Sequence, residues 1–145
     1  MMSVEIRNEP ISFDLHGVSG EVPDRNYAKA GFKLMDGLWP PIKEKAIKNT
    51  GINYWVYRGA THLSVCVELA GSDGEDLFEH VPVRFEKYAY YKHIGPYERL
   101  GEAYSAIKRE IACRGLIHNG DYVEKYGHWT EDSSKHETEI FAGLK

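Results

Sequence analysis

Apolar and polar residues alternate along Ile11–Val22, with Ile11, Phe13 and Leu15 on one side before Gly17 and Gly20 break the pattern. A period of two is the mark of a strand with unlike faces. A first strand is expected there. From Tyr27 to Lys48 the period becomes helical, through Leu34, Leu38, Ile42 and then Ala46 or Ile47. Pro40-Pro41 interrupts it, and a proline inside a helix removes a backbone hydrogen bond and clashes with the preceding turn. The expectation is a kinked helix, or two short helices meeting at Trp39. Asn49-Thr50-Gly51 ends the helix. Ile52–Tyr57 and the clean alternation of Leu63, Val65, Val67 and Leu69 read as two strands around the turn Arg58-Gly59-Ala60-Thr61. Gly71–Glu79 is acidic and turn-rich, hence a surface loop.

Val81–His93 reads as a fourth strand, aromatic in its second half. Gly95-Pro96 then punctuates the chain. Pro96 presets a helical φ without needing an amide donor, which suits the first turn of a helix. Leu100, Ala103, Tyr104, Ile107 and Ile111 follow at helical spacing, and Gly115 supplies a left-handed cap. Asp121–Trp129 reads as a fifth strand, Thr130–Ser134 as a polar turn and Lys135–Leu144 as a sixth strand. Met1–Pro10 is polar, a frayed start or an edge.

That order is β-α-β-β, twice. The two halves share local text: Ile42-Lys43-Glu44-Lys45 matches Ile107-Lys108-Arg109-Glu110, Trp39 aligns with Tyr104, and Trp55-x-Tyr57 aligns with Glu124-x-Tyr126. The expected organisation is one domain, 1–145, with pseudo-repeats at about 11–71 and 81–145. The expected class is α+β. Duplicated β-α-β-β halves form an antiparallel sheet with two helices on one face and a ligand cleft on the other.

Composition narrows the chemistry. The net charge is −4 with no basic tract, which argues against direct nucleic-acid binding. Cys66 sits in an apolar strand and Cys113 in a helix, without metal-ligand spacing; both read as reduced thiols of a cytoplasmic protein. No apolar run approaches the ~20 residues of a membrane span. Histidines are scattered, so neither a metal nor a cofactor is expected. Nucleophile-elbow, P-loop and dinucleotide fingerprints are absent. The ten tyrosines stand out, because a phenol offers an apolar face and a polar handle, as ligand pockets use.

Residues two apart in a strand share a face, so Glu124 and Tyr126 are neighbours, with Tyr122 and His128 on the same side. The duplication sets Trp55 and Tyr57 at the matching place. If both faces turn to the cleft, Glu124 is flanked by Trp55, Tyr57 and Tyr126. Aromatic faces attract cations and a carboxylate supplies the countercharge. Tyr90 is a candidate pocket wall and Phe141 a candidate floor. Trp39 either projects over the cleft or packs in the core, and Tyr104, its counterpart on the second helix, is a further candidate that reads more as core. Lys125 alternates onto the face expected to meet the helices, unless a bulge shifts the register. Tyr97 reads as a cap of the helix start.

His93-Ile94-Gly95-Pro96-Tyr97, a helix, Glu124-x-Tyr126 and Glu139-Ile140-Phe141 together resemble the GyrI-like effector-binding domains. Asp121-Tyr122 ahead of Glu124-Lys125-Tyr126-Gly127 is similar to the integron-associated branch. The resemblance covers Val81–Leu144 well and the first half more loosely. It implies a standalone module that binds bulky, lipophilic, cationic compounds, with Glu124 as the family's ligand-facing carboxylate. The domain consumes the whole length, so any regulatory output would need a partner chain; a homodimer is the other protein partner considered. Two alternatives remain open. One is a hydrolase of reactive xenobiotics in which Glu124 orients water or acts as base. The other is a protein-binding, gyrase-inhibitor-like role.

Overall fold

A computed structural model describes residues 3–145. Chain order is β1 (Glu5–Arg7), β2 (Ile11–Glu21), α1 (Tyr27–Met35), α2 (Trp39–Glu44), β3 (Tyr54–Arg58), β4 (His62–Val67), β5 (Glu79–Phe85), β6 (Tyr88–Ile94), α3 (Leu100–Cys113), β7 (His118–Tyr126) and β8 (Glu137–Leu144). Short 3-10 turns occupy Tyr97–Arg99 and Ser133–Lys135. The class is α+β and the strand pairs are antiparallel. Contacts divide the chain into two compact units: the chain up to Ile11 with Arg84–Lys145, and Ser12–Val83.

In the Ser12–Val83 unit the strand order is β3-β4-β2-β5. Trp55 opposes Val65, and Val65 opposes Val18. Asn26 caps α1 by accepting a hydrogen bond from the Lys29 amide. The helix lies close to the sheet because two glycines face each other's elements. A Cβ on Gly31 would sit 2.2 Å from the Trp55 ring, and one on Gly20 3.4 Å from Leu34. Pro40 and Pro41 fall in the first turn of α2, where an amide has no intrahelical acceptor to lose. The helical stretch is therefore two short helices meeting at Trp39, as the prolines require. Leu15, Leu38, Val56, Leu63, Val65 and Val67 are fully buried.

In the other unit the order is β1-β6-β8-β7. Helix α3 buries Ala103, Ile107 and Ile111 against Ala89, Ile140, Ala142 and Leu144. Each buried isoleucine contributes roughly 1.5–3 kcal/mol. The α3 face of the sheet thus carries Ala89 and Tyr91 from β6, Ile140 and Ala142 from β8, and Tyr122 from β7.

Three elements differ from the sequence pattern. Val81–His93 is two strands, β5 and β6, because the chain bends at Glu86-Lys87. That pair carries no Gly, Pro or Asn to announce a turn. The polar start contains β1, whose Ile6 opposes Ala89 of β6. The irregularity in β7 lies between His118 and Tyr122, not at Lys125. Lys125 opposes Glu139 with its ammonium 3.9 Å from that carboxylate, on the face away from α3.

Candidate functional site

Glu124 of β7 is 3 % exposed. A buried charge is costly unless it is hydrogen-bonded. Here both carboxylate oxygens accept from tyrosines. Tyr104 of α3 donates to Oε2, and Tyr126, two residues along β7, donates to Oε1 at 2.5 Å. Tyr104 reaches it because α3 lies across this face of the sheet, with Ala103 and Ile107 anchored in the core on either side.

More aromatic rings surround this pair. Tyr122 meets Tyr104 edge-on at 5.1 Å, and Tyr97 meets Tyr126 edge-on at 5.4 Å. Tyr97 also stacks on His136 at 4.6 Å. Its placement depends on the Gly95-Pro96 corner. Gly95 has φ +140°, a conformation L side chains rarely adopt, and its amide donates to the His136 carbonyl at 2.8 Å. Burial raises the hydroxyl pKa of Tyr97 and of Tyr122 above that of an ordinary phenol. Both stay neutral at physiological pH and add no negative charge. The result is one carboxylate bonded by two phenols, each with a further tyrosine edge-on to its ring, a setting whose charge and aromatic faces suit a cation with flat apolar groups.

No family model and no curated protein sequence matches this chain. Solved structures do. The EcmrR C-terminal domain superposes with a TM-score of 0.71 at 18 % identity, covering 100 % of this chain and 98 % of that one. SAV2435, solved bound to tetraphenylphosphonium, gives 0.63 at 11 % identity, over 100 % and 94 %. An integron cassette protein of Vibrio cholerae gives 0.62 at 14 %, over 99 % and 96 %. The chain has the GyrI-like effector-binding fold. Within this GyrI-like fold, Glu124 and its phenols lie between α3 and the sheet of their unit.

Glu124, Tyr126 and Tyr104 come together, and Tyr97 and Tyr122 join them. The face differs from the expected one. The Tyr104 bond sets Glu124 on the side covered by α3, whereas the sequence pattern put the ligand face opposite the helices. Trp55 likewise lies on the side of its sheet covered by α1, over Gly31 and edge-on to Phe32 at 6.0 Å. Tyr57 meets Tyr27 of α1 edge-on at 5.2 Å. Trp39 donates its indole N–H to Asn53 at 2.6 Å.

Tyr90 and Phe141 are separated from Glu124 by the sheet. They oppose each other across β6 and β8, one residue out of phase with Tyr91 and Ile140. Tyr90 donates to Glu139 at 2.6 Å, and the Arg7 guanidinium lies 4.1 Å from its ring centre. An aromatic ring, a carboxylate and a cation meet there too, but the cation is the chain's own arginine.

The sequence pattern placed Tyr97 only at the helix start and gave His136 no role, because their meeting depends on the Gly95 turn. A glycine-proline pair directly before an aromatic was the one available signal. Among the described residues, no group of three or more His, Cys, Asp or Glu is placed to hold a metal ion. Among the described residues, no helix is long and apolar enough to cross a membrane.

Proposed function

We propose that the protein binds small lipophilic cations with aromatic substituents, using Glu124 as the countercharge. The observation that carries this is the Glu124 carboxylate, buried and held on both oxygens by Tyr104 and Tyr126. Two neutral donors orient the carboxylate without cancelling its charge. A ligand cation would supply the opposite charge in a poorly hydrated setting, where the attraction is less screened than at a surface. The phenol rings would take up the apolar groups. SAV2435, which shares the fold and was solved with tetraphenylphosphonium, supports the same ligand class. EcmrR, solved in complex with DNA, carries the same fold over 57 % of its chain.

Calorimetric titration with tetraphenylphosphonium and with neutral triphenylphosphine oxide tests the reading. Glu124→Gln keeps the size and removes the charge. It should weaken the cation by roughly 10- to 100-fold, the range for charge-assisted contacts, and the neutral compound far less. Equal losses for the two compounds would leave Glu124 a shape-giving residue only. A structure described as a hydrolase from Listeria innocua shares the fold at a TM-score of 0.57 and 13 % identity. Mass spectrometry of a lipophilic cation carrying a cleavable carboxylic ester, incubated with the protein, therefore belongs to the test, and release of the acid and alcohol would replace binding by catalysis.

A further inference from the structure

Arg7 of β1 sets its guanidinium 4.1 Å from the centre of the Tyr90 ring. Tyr90 donates to Glu139 Oε1 at 2.6 Å and meets Phe141 edge-on at 5.3 Å. All four residues belong to one compact unit and to the face of its sheet away from α3. The negative face of a phenol attracts a cation. A hydrogen bond to a carboxylate polarises the phenol and makes that face more negative. Burial first, and then the Glu139 carboxylate, push the Tyr90 hydroxyl above an ordinary phenol, so the bond keeps its proton.

Arg7 takes its countercharge from its own strand. Glu5 Oε2 accepts from Nε at 3.0 Å and from Nη2 at 2.6 Å. Tyr88 of β6 is a further partner of the guanidinium. Glu139 instead faces the Lys125 ammonium at 3.9 Å, longer than a direct hydrogen bond. Arg7 can therefore leave the ring with Glu5 as a neutral pair. What stays behind is an electron-rich ring joined to a carboxylate. The Arg7 side chain is 37 % exposed, so it can swing into water while β1 keeps its place. Ile6, on the other face of β1, packs against the α3 core and holds the strand.

We propose that Tyr90, Phe141 and Glu139 form a second cation site, for an organic guanidinium or amidinium, which Arg7 keeps occupied. The class follows from the group already seated there. A planar cation stacks on the ring at 4.1 Å. A tetrahedral phosphonium, wrapped in aryl groups, cannot bring its charge that near. The site is separate from Glu124, which lies on the opposite face of the sheet, and it does not depend on the Glu124 reading.

The probes are benzylguanidinium and benzylurea, alike in shape and different in charge. NMR titration of wild type, Arg7→Ala and the double variant Arg7→Ala with Glu139→Gln reads both the affinity and the place of binding. Benzylguanidinium should shift the amide signals around Tyr90 and Glu139. It should bind Arg7→Ala about 5-fold tighter than wild type, the equivalent of the ~1 kcal/mol of an exposed cation–π contact that it no longer has to displace. Arg7→Gln, which can still hydrogen-bond Glu5, should show the same gain with β1 held as in wild type. The double variant should lose most of the gain, and benzylurea should bind all the proteins weakly and alike. No gain in Arg7→Ala and Arg7→Gln, a gain that survives Glu139→Gln, or equal binding of the two probes overturns the site. Shifts confined to Glu124 and Tyr104 overturn it as well and leave the Glu124 reading standing.

Discussion

The Tyr104 hydroxyl of α3 donates a hydrogen bond to Glu124 Oε2 of β7, tying the helix to the sheet through a buried carboxylate. Tyr104→Phe removes that donor and leaves the ring. Losing a donor to a buried charged acceptor should lower stability by about 1–3 kcal/mol. Urea denaturation measures it. The loss should shrink in a Glu124→Leu background, because the two groups act as one pair. An unchanged cost there would mean that the hydroxyl stabilises the fold by some other route.

The two faces of the sheet of β6, β7 and β8 should separate in binding. Tyr90 bonds Glu139 and lies under Arg7, on the side away from Glu124. Tyr90→Phe should leave tetraphenylphosphonium affinity within about 2-fold, as expected for a site with no shared partner. Tyr126→Phe, on the Glu124 face, should weaken it by more. Competition with a fluorescent cation gives both values.

Gly31 and Trp55 make an opposite-sign test of helix packing. Alanine in place of glycine within a helix ordinarily stabilises by roughly 0.5–1 kcal/mol. Here the new methyl would fall 2.2 Å from the Trp55 indole. Gly31→Ala should therefore destabilise, by about 1–3 kcal/mol as overpacking does. Adding Trp55→Phe, which lacks the clashing indole atoms, should recover much of the loss. Thermal melts of the two single variants and the double variant decide it, and a stabilised Gly31→Ala would show that α1 shifts freely.

Cys66 is fully buried, and desolvation pushes its thiol up to about 12, with the nearby Glu79 charge adding to the shift. Cys113 is exposed. At pH 8 a disulfide reagent should titrate one thiol per native chain and two in guanidinium. The linkage has a definite sign. In the unfolded chain the thiol ionises near 9, so above that pH the unfolded state holds fewer protons than the native one. Stability conferred by the protonated thiol is complete below pH 9 and is lost progressively as pH rises towards 12. Cys66→Ala should flatten the fall in stability between pH 9 and 10.5, and an unaltered slope would assign that fall to the tyrosines.

Much of the architecture was legible because periodicity is local. Alternation determines which residues of β7 share a face, and so joins Glu124 to Tyr126 from the sequence alone. The helical period identified Ile107 and Ile111 as core, and the prolines of α2 divided its helix from α1. Alternation has no sign, however. Val123 and Phe141 on one side of β7 and β8 are as buried as Glu124 and Ile140 on the other. Neither hydrophobicity nor spacing could say which side α3 covers. That choice came from tertiary packing, and it reversed the expected face of Glu124 and separated Tyr90 and Phe141 from it. Tyr104 lies in the apolar stripe of its helix and read as core; only the crossing of α3 over β7 set its hydroxyl on the carboxylate. Tyr97 acquired its place in the same way, from the turn at Gly95, because contacts distant along the chain leave no period in the sequence.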